Sequence, residues 1–413
     1  MINVIHTADI HFGVENYGRI DPETGIHTRL LDFNRALNAC IDTAIARNVD
    51  CFIFSGDAYK TAHPTPTQQR LLTRCFLRLY QHGIPLIIIV GNHDHPLSFG
   101  KANALDIFGQ FPADGFHVVS KPETIQLQTK NGPLNVVGIP WPTRNNVSLA
   151  DQHYAKSAEE ITDHISQAVG SIIQKMAQDL DPTLPAVLAG HLTVSSGIFS
   201  GSEKRAIYGT DPVLLPSQLA IAPFDYVALG HLHRYQNLNP NGYPAVVYAG
   251  SPERVDFGER KEDKGFCLVS IHAKGNTTHE FIKTPQRPFI QIEVILNNDS
   301  DQTEQIITAI QQQQIQQSVV KVVYRLPAHT KNMVNLKAVH RVLMDAHYVV
   351  GIIPHNDIAP RDRRITMQPS MNFKDTVAHY FENKPEHAAQ KELLIEKTLQ
   401  LFEEAQGLEK QES

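Results

Sequence analysis

Residues 86–94 read LIIIVGNHD: five apolar residues, then a glycine, an amide, an imidazole and a carboxylate. A short apolar run of this kind, closed by glycine, reads as a buried strand and the turn out of it. Four other segments repeat the pattern. Ile2–Ile5 leads to Asp9 and His11, Cys51–Phe54 to Gly56 and Asp57, Ala186–Ala189 to Gly190 and His191, and Tyr226–Leu229 to GHLH at 230–233. Each candidate ligand therefore falls just past the carboxyl end of a strand, which is where open α/β sheets bind their ligands.

The residue types suit a pair of divalent cations. Two such ions roughly 3.5–4 Å apart clamp the attacking and leaving oxygens of an in-line displacement at phosphorus and lower the pKa of a bound water. Asp57 is the centrally placed carboxylate for bridging them, while imidazoles and carboxylate or amide oxygens suit manganese, iron or zinc. No thiolate belongs to the set, which argues against a structural zinc and for an open, hydrolytic centre. Each segment alone is a weak sign, since a histidine after glycine is common in loops. The reading rests on five segments in order, each at a strand end. His6 and His95 fit no ligand slot and are expected as a strand-interior histidine and a supporting one.

At 413 residues the chain exceeds one ordinary core, so two or three domains are expected. Cys40, Cys51, Cys75 and Cys267 are scattered in apolar contexts, the pattern of reduced core thiols in a cytoplasmic protein. No secretory signal opens the chain, and the longest apolar run, Ile84–Val90, is too short to cross a membrane. A net charge of −6 gives no general attraction to nucleic acid. Basic clusters at Lys204 and Arg205, at Arg254, Arg260, Lys261 and Lys264, and at Arg361, Arg363 and Arg364 are expected as solvated surface, with room for a local phosphate-holding patch.

Residues 1–285 read as one α/β unit. Helices are expected over Asn34–Arg47 and Thr67–Gln81, and a longer one where Ala158, Ile161, Ile165, Val169, Ile172, Met176 and Leu180 recur at helical period, capped by Ser157 with Glu160. Further strands at Ala245–Ala249 and Gly265–Ile271 are too many for one sheet. A two-sheet sandwich flanked by helices accommodates them. Residues 286–368 carry strand Phe289–Leu296, helix Asp301–Gln317, strand Val319–Leu326, helix Asn335–Ala346 and strand Tyr348–Pro354, the order of a small α/β domain. The glutamines at 311–314 are placed inside its first helix, on a solvated face. Residues 369–413 form a helical tail whose apolar residues (Phe373, Val377, Tyr380, Phe381, then Ile395, Leu399 and Phe402) suit docking on the parent domain or on a partner.

With Asp9, His11, Asp57, Asn92, His93, His191, His231 and His233 in this order, the chain resembles the calcineurin-like metallophosphoesterases. Three segments narrow the likeness: HTADIHFG (6–13), SGDAYKTAHPTPTQQ (55–69) and YAGSPERVDFGERKEDKGF (248–266) are similar to the SbcD nucleases of DNA-break repair. The resemblance implies the metallophosphoesterase fold and two metal ions, usually manganese. One would be held by Asp9, His11, Asp57 and His233, the other by Asp57, Asn92, His191 and His231. It implies that His93 stabilises the transition state and helps protonate the leaving oxygen, and Asp94 is expected to orient that ring. It also implies a DNA exonuclease and endonuclease core that dimerises, a capping domain that shapes DNA access, and a tail that binds an SbcC-type coiled-coil ATPase. The match departs at Lys60, where some relatives carry a second catalytic histidine; His63 is close but out of register. Strand-end polarity and the balance of exonuclease to endonuclease activity therefore do not transfer. Two other readings stand beside this one. The metal site alone equally permits a phosphoesterase acting on a small molecule or a phosphoprotein. A non-catalytic scaffold would have lost ligands, and none is missing.

Overall fold

The computed structural model describes residues 1–96, 101–111, 115–143, 158–201, 211–297, 300–326, 330–356, 374, 377, 380–381 and 390–409. Strands β2 (Cys51–Phe54) and β3 (Leu86–Ile89) are apolar throughout, β1 (Ile2–Thr7) mixes Ile2, Val4 and Ile5 with Asn3, His6 and Thr7, and all three are buried on both faces. They pair in parallel, as doubly covered strands do. β4 (Phe116–Val119) extends the sheet beyond β3. At the other edge lies the antiparallel hairpin of β13 (Gly265–Ala273) and β14 (Asn276–Lys283), giving the order β14-β13-β1-β2-β3-β4.

A second six-stranded sheet among the described residues is built from β5 (Glu123–Thr129), β6 (Gly132–Ile139), β7 (Ala186–His191), β10 (Tyr226–Gly230), β11 (Gln236–Asn237) and β12 (Ala245–Tyr248). Its order is β11-β12-β10-β7-β6-β5. β6, β7, β10 and β12 are parallel. Two short strands, β8 (Thr193–Val194) and β9 (Val213–Leu214), pair beside it.

The two sheets share an apolar layer in which Val4, Ile53, Ile87 and Ile89 meet Val136, Val187, Ala189 and Ala228. On the outer face of the first sheet, α1 (Thr28–Ala46) and α2 (Pro66–Gln81) bury Phe33, Leu37, Ile41, Leu72, Phe76 and Leu79 against Phe52, Phe54 and Ile88. The single-turn α3 (Asp106–Gly109) adds Phe108 to the same layer. On the outer face of the second sheet, α4 (Ala158–Gln178) buries Ile161, Ile165, Val169 and Ile173. A buried Leu, Ile or Phe side chain is worth about 1.5–3 kcal/mol, so these layers carry the fold. The two-sheet sandwich flanked by helices is the architecture expected.

Local signals explain the helix ends. Thr65 and Gln68 form a reciprocal capping box with Pro66 in the first turn, which fixes the start of α2. α1 starts six residues before the expected Asn34. Its first turn holds Arg29 and Asp32, both fully buried and paired at 2.9 Å. Periodicity reads such charges as solvent-facing and so misses the turn. Ser157, the expected cap of α4, lies outside the described residues.

Strands β15 (Phe289–Ile295), β16 (Val319–Leu326) and β17 (Tyr348–Asn356) form a third sheet in that order. The first helix expected there spans only Gln302–Gln311. Gln312–Gln314 lie past its end and are exposed, so the solvated reading holds and the helical one does not. By backbone contacts the chain divides into two units. Met1–Ile292, Ile307–Val322 and Leu336–Ile352 make up the first, which contains both large sheets; Glu293–Ile306, Val323–Asn335 and Ile353–Ser413 make up the second, which contains the helix Lys391–Glu409.

Candidate metal centre

Strand register assembles the site. Thr7 pairs with Phe54 and Phe54 with Ile88, so the loops leaving β1, β2 and β3 emerge side by side. Across the sandwich, Gly230 pairs with His191, which aligns the ends of β10 and β7. Asp9, His11, Asp57 and Asn92 thus come from one sheet and His191, His231 and His233 from the other. Asp9, His11, Asp57 and His231 all have positive φ, from 49° to 104°. Such backbone costs about 1–3 kcal/mol per residue and persists where neighbours brace it. Here the amides of Asp9 and His11 donate to the carbonyls of Gly56 and Asp57 at 2.9 and 3.1 Å.

The donor atoms converge. Asp57 is buried, with Oδ2 3.4 Å from His191 Nε2 and 3.6 Å from His11 Nε2. His191 Nε2 also lies 2.9 Å from Asn92 Oδ1, and His231 Nδ1 lies 3.2 Å from the same oxygen. His11 Nε2 and His233 Nε2 approach to 3.0 Å. Two sets of ligand-capable atoms result, His11 with Asp57 and His93, and Asp57 with His191 and His231. Asp9 is tied to the same loops, both its oxygens accepting the His231 amide at 3.0 and 3.1 Å.

Whether cations fit is decided by where the protons are. His191 Nδ1 donates to the Ser55 carbonyl at 2.8 Å, so in the neutral ring Nε2 is a lone pair. That lone pair faces the Asn92 and Asp57 oxygens, acceptor against acceptor. A second proton on the ring relieves the clash, and so would a cation bound there. His191 is accordingly raised to about 9: burial opposes the shift, and the Asp57 carboxylate outweighs it. Burial also raises Asp9 to about 7, against His191 and His233 and with the help of Asp57. A divalent cation does the same work as that proton with twice the charge. The residues present fit a metal pair.

His93, by contrast, is exposed at the rim; its amide donates to Asp57 Oδ1 at 2.9 Å and its Nδ1 to the Lys60 carbonyl at 2.8 Å. The ring is therefore oriented by Lys60, not by Asp94 as expected. Asp94 instead accepts the backbone amides of Gly91, Ala58 and Tyr59 at 3.1–3.2 Å, tying the loop after β3 to the loop after β2. His6 is buried in β1 between the Tyr226 hydroxyl and the Leu229 carbonyl, each at 3.2 Å, the interior role expected of it. His95 bonds the Pro96 carbonyl.

Two basic residues expected on the surface are buried: Lys264 beside the centre, and Arg254, which donates to the carbonyls of Arg287 and Glu262. Lys204, Arg205, Arg361, Arg363 and Arg364 lie outside the described residues. All four cysteines are buried and free. No described helix is long and apolar enough to cross a membrane.

Three contributors carry no sequence signature strong enough to place them at the centre. Trp141 stands at the end of β6, half-buried, its ring 4.9 Å from that of His231 and 6.0 Å from that of His191. Asp211 Oδ2 lies 3.4 Å from His231 Nε2, without an aligned hydrogen bond. Glu259 bonds His233 Nδ1. A tryptophan following an apolar strand was the one available signal; the two carboxylates have no spacing that announces them.

Sandwich, strand-end loops and converging donors define a phosphoester hydrolase, and the chain belongs to the calcineurin-like phosphoesterases, whose family model matches residues 2–235. It is similar to the SbcD component of the SbcCD nuclease of Staphylococcus saprophyticus, 29% identical over 301 residues and 73% of each chain. The corresponding component from Escherichia coli K12 is 27% identical over 304 residues, 72% of this chain and 71% of that one. The resemblance to SbcD-type enzymes thus extends well beyond the ligand loops. Among solved structures, a dimetal phosphatase from Danio rerio overlaps 68% of this chain and 98% of its own at 10% identity and TM-score 0.40, too loosely to transfer a residue.

Proposed function

We propose that this chain is the nuclease component of an SbcD-type DNA-break enzyme. It acts as a homodimer that hydrolyses DNA phosphodiester bonds with two Mn2+ ions, in company with an SbcC-type coiled-coil ATPase. The observation that carries the proposal is the acceptor-on-acceptor geometry at His191, Asn92 and Asp57. DNA is favoured as substrate by the two relatives named as components of SbcCD nucleases and by the SbcD-like segment 248–266, which reaches the centre through Glu259.

In this reading Asp9, His11, Asp57 and His233 hold one ion, and Asp57, Asn92, His191 and His231 hold the other. Once bound, the ions supply an activated water and positive charge for the phosphoryl oxygens. The chain does the rest. His93, with Nδ1 donating to the Lys60 carbonyl, presents Nε2 at the rim, and in the imidazolium form that nitrogen carries the proton passed to the leaving oxygen. Its amide holds Oδ1 of the bridging Asp57. Asp94 locks the two loops that carry these residues. Residues 286–368 serve as the cap over the DNA path. Residues 369–413 serve as the ATPase-binding tail, and Leu393, Leu401 and Phe402 are exposed on its helix.

Purified chain with Mn2+ should degrade linear duplex and single-stranded DNA, and His93→Gln should lose about 10²–10⁴-fold of that rate while keeping Mn2+ binding. Intact DNA beside rapid cleavage of small phosphodiesters would transfer the reading to a small-molecule phosphoesterase. An unaltered rate in His93→Gln would remove this residue from the mechanism. A pulldown with residues 372–413 that recovers no coiled-coil ATPase would sink the partner.

A further inference from the structure

The segment after the last histidine pair returns a carboxylate to the centre from outside the five ligand loops. Glu259 closes the short 3-10 helix Phe257–Glu259 and is fully buried. Its two oxygens have separate duties. Oε1 accepts from His233 Nδ1 at 2.9 Å. Oε2 accepts the Val255 amide at 2.9 Å and lies 2.8 Å from Lys264 Nζ. Lys264, 1% exposed, also donates to the main-chain carbonyl of His233 at 2.8 Å. One buried ion pair therefore grips His233 at both its ring and its backbone.

The other two ring partners are weaker. His191 Nδ1 donates to a neutral carbonyl, that of Ser55. His231 Nε2 faces Asp211 at 3.4 Å without an aligned bond, and that carboxylate is 14% exposed. A carboxylate behind a ligand imidazole fixes its tautomer and angle and raises the basicity of the opposite nitrogen. Here that nitrogen is His233 Nε2, which points at His11 Nε2.

We propose that Glu259, backed by Lys264, is a positioning residue for the cation site of His11, Asp57 and His233, and that this site holds its ion more tightly than the site of Asn92, His191 and His231. The inference rests on the two-metal reading above. A merely structural ion pair would be satisfied by Val255, Lys264 and Glu262 alone; the commitment of Oε1 to His233 is what a structural role leaves unexplained.

The test replaces the pair in the full chain. Removing one partner strands a buried charge, whereas Glu259→Leu with Lys264→Met substitutes apolar groups of similar volume, a change buried pairs often tolerate. Mn2+ alone is titrated against wild type and double variant, free Mn2+ being read by electron paramagnetic resonance, with a metal-free thermal melt beside it. Wild type should bind two ions of unequal affinity. The folded double variant should bind the weaker ion unchanged and the tighter one about 10–100-fold less well. If both ions bind the variant as they bind wild type, the proposal is overturned. Should the double variant not fold, Glu259→Gln keeps an acceptor for the ring without its charge; a weakened tight site supports the proposal and two intact sites overturn it. Should wild type bind a single ion, the two-metal reading falls, and loss or retention of that ion in the variant still decides for or against Glu259.

Discussion

Replacing Gly91 by alanine probes how closely the centre is built. A β-carbon there would overlap Oδ1 and the backbone nitrogen of Asp57 and stand 2.9 Å from its Cγ, where ordinary contact begins at 3.4 Å. The carboxyl carbon must retreat by at least ~0.5 Å, which is the whole positional tolerance of a catalytic constellation. Neither loop can give way easily. The Gly91 amide is held by Asp94, which also holds Ala58 and Tyr59, and the Asp57 carbonyl holds the His11 amide. The Asp57 carboxylate therefore moves, and the expected loss in Mn2+-dependent hydrolysis of bis-p-nitrophenyl phosphate is ~100-fold, or about 2.7 kcal/mol of transition-state stabilisation. Gly109→Ala is the control. Its β-carbon would meet Val118 at 3.7 Å, an ordinary contact, and its rate should match wild type. Circular dichroism at the assay temperature separates distortion from unfolding. A folded Gly91→Ala enzyme within about threefold of wild type would refute the claim that Asp57 must sit where it does.

Asp94→Ala should destabilise the metal-free protein by at least ~2 kcal/mol in urea unfolding, since three buried amides lose their acceptor at ~1–3 kcal/mol each, less than additively; an unchanged midpoint would show the loops to be held by other means. Burial lowers the pKa of His6 to about 3. Because this folded-state value lies below the unfolded 6.5, stability is full above pH 6.5 and drains as pH falls toward 3, by up to about 1.4 kcal/mol per pH unit. In chelator, wild type should lose more stability between pH 7.5 and 5 than His6→Gln does, and equal losses would count against the buried neutral ring. Trp141 is the sole tryptophan of the chain. Its fluorescence should be quenched on Mn2+ binding, with the signal absent in Trp141→Phe; emission indifferent to saturating Mn2+ would place the ions away from His231.

What was legible in the sequence is what chemistry confines to one short stretch. LIIIVGNHD declares both its strand and its ligands, because this doubly buried strand is apolar throughout and the turn after it opens on glycine. β5 declares neither: apart from buried Leu127 its residues are exposed or half-buried, with glutamine and threonine among them, as at a sheet edge. The start of α1 was hidden by Arg29 and Asp32, whose charges are internal because they pair with each other and Asp32 also with Arg287. Within the site, all seven expected metal-binding residues lie together around one centre. The positioning of His93 was not legible, since a backbone carbonyl holds the ring and any residue at 60 provides one. Glu259 was hidden for a different reason: its partnership with His233 spans 26 residues and depends on the path of the chain between them.

The donors come from two sheets, and the chain makes them in order. A nascent polypeptide, or a fragment ending before Ala186, holds Asp9, His11, Asp57 and Asn92 but none of the three imidazoles that oppose them. If these seven residues hold the proposed ions, hydrolytic competence arrives late, after translation passes residue 233 and the second sheet has closed on the first. Under the two-ion assignment proposed above, an unfinished or misassembled copy would lack part of the ligand set.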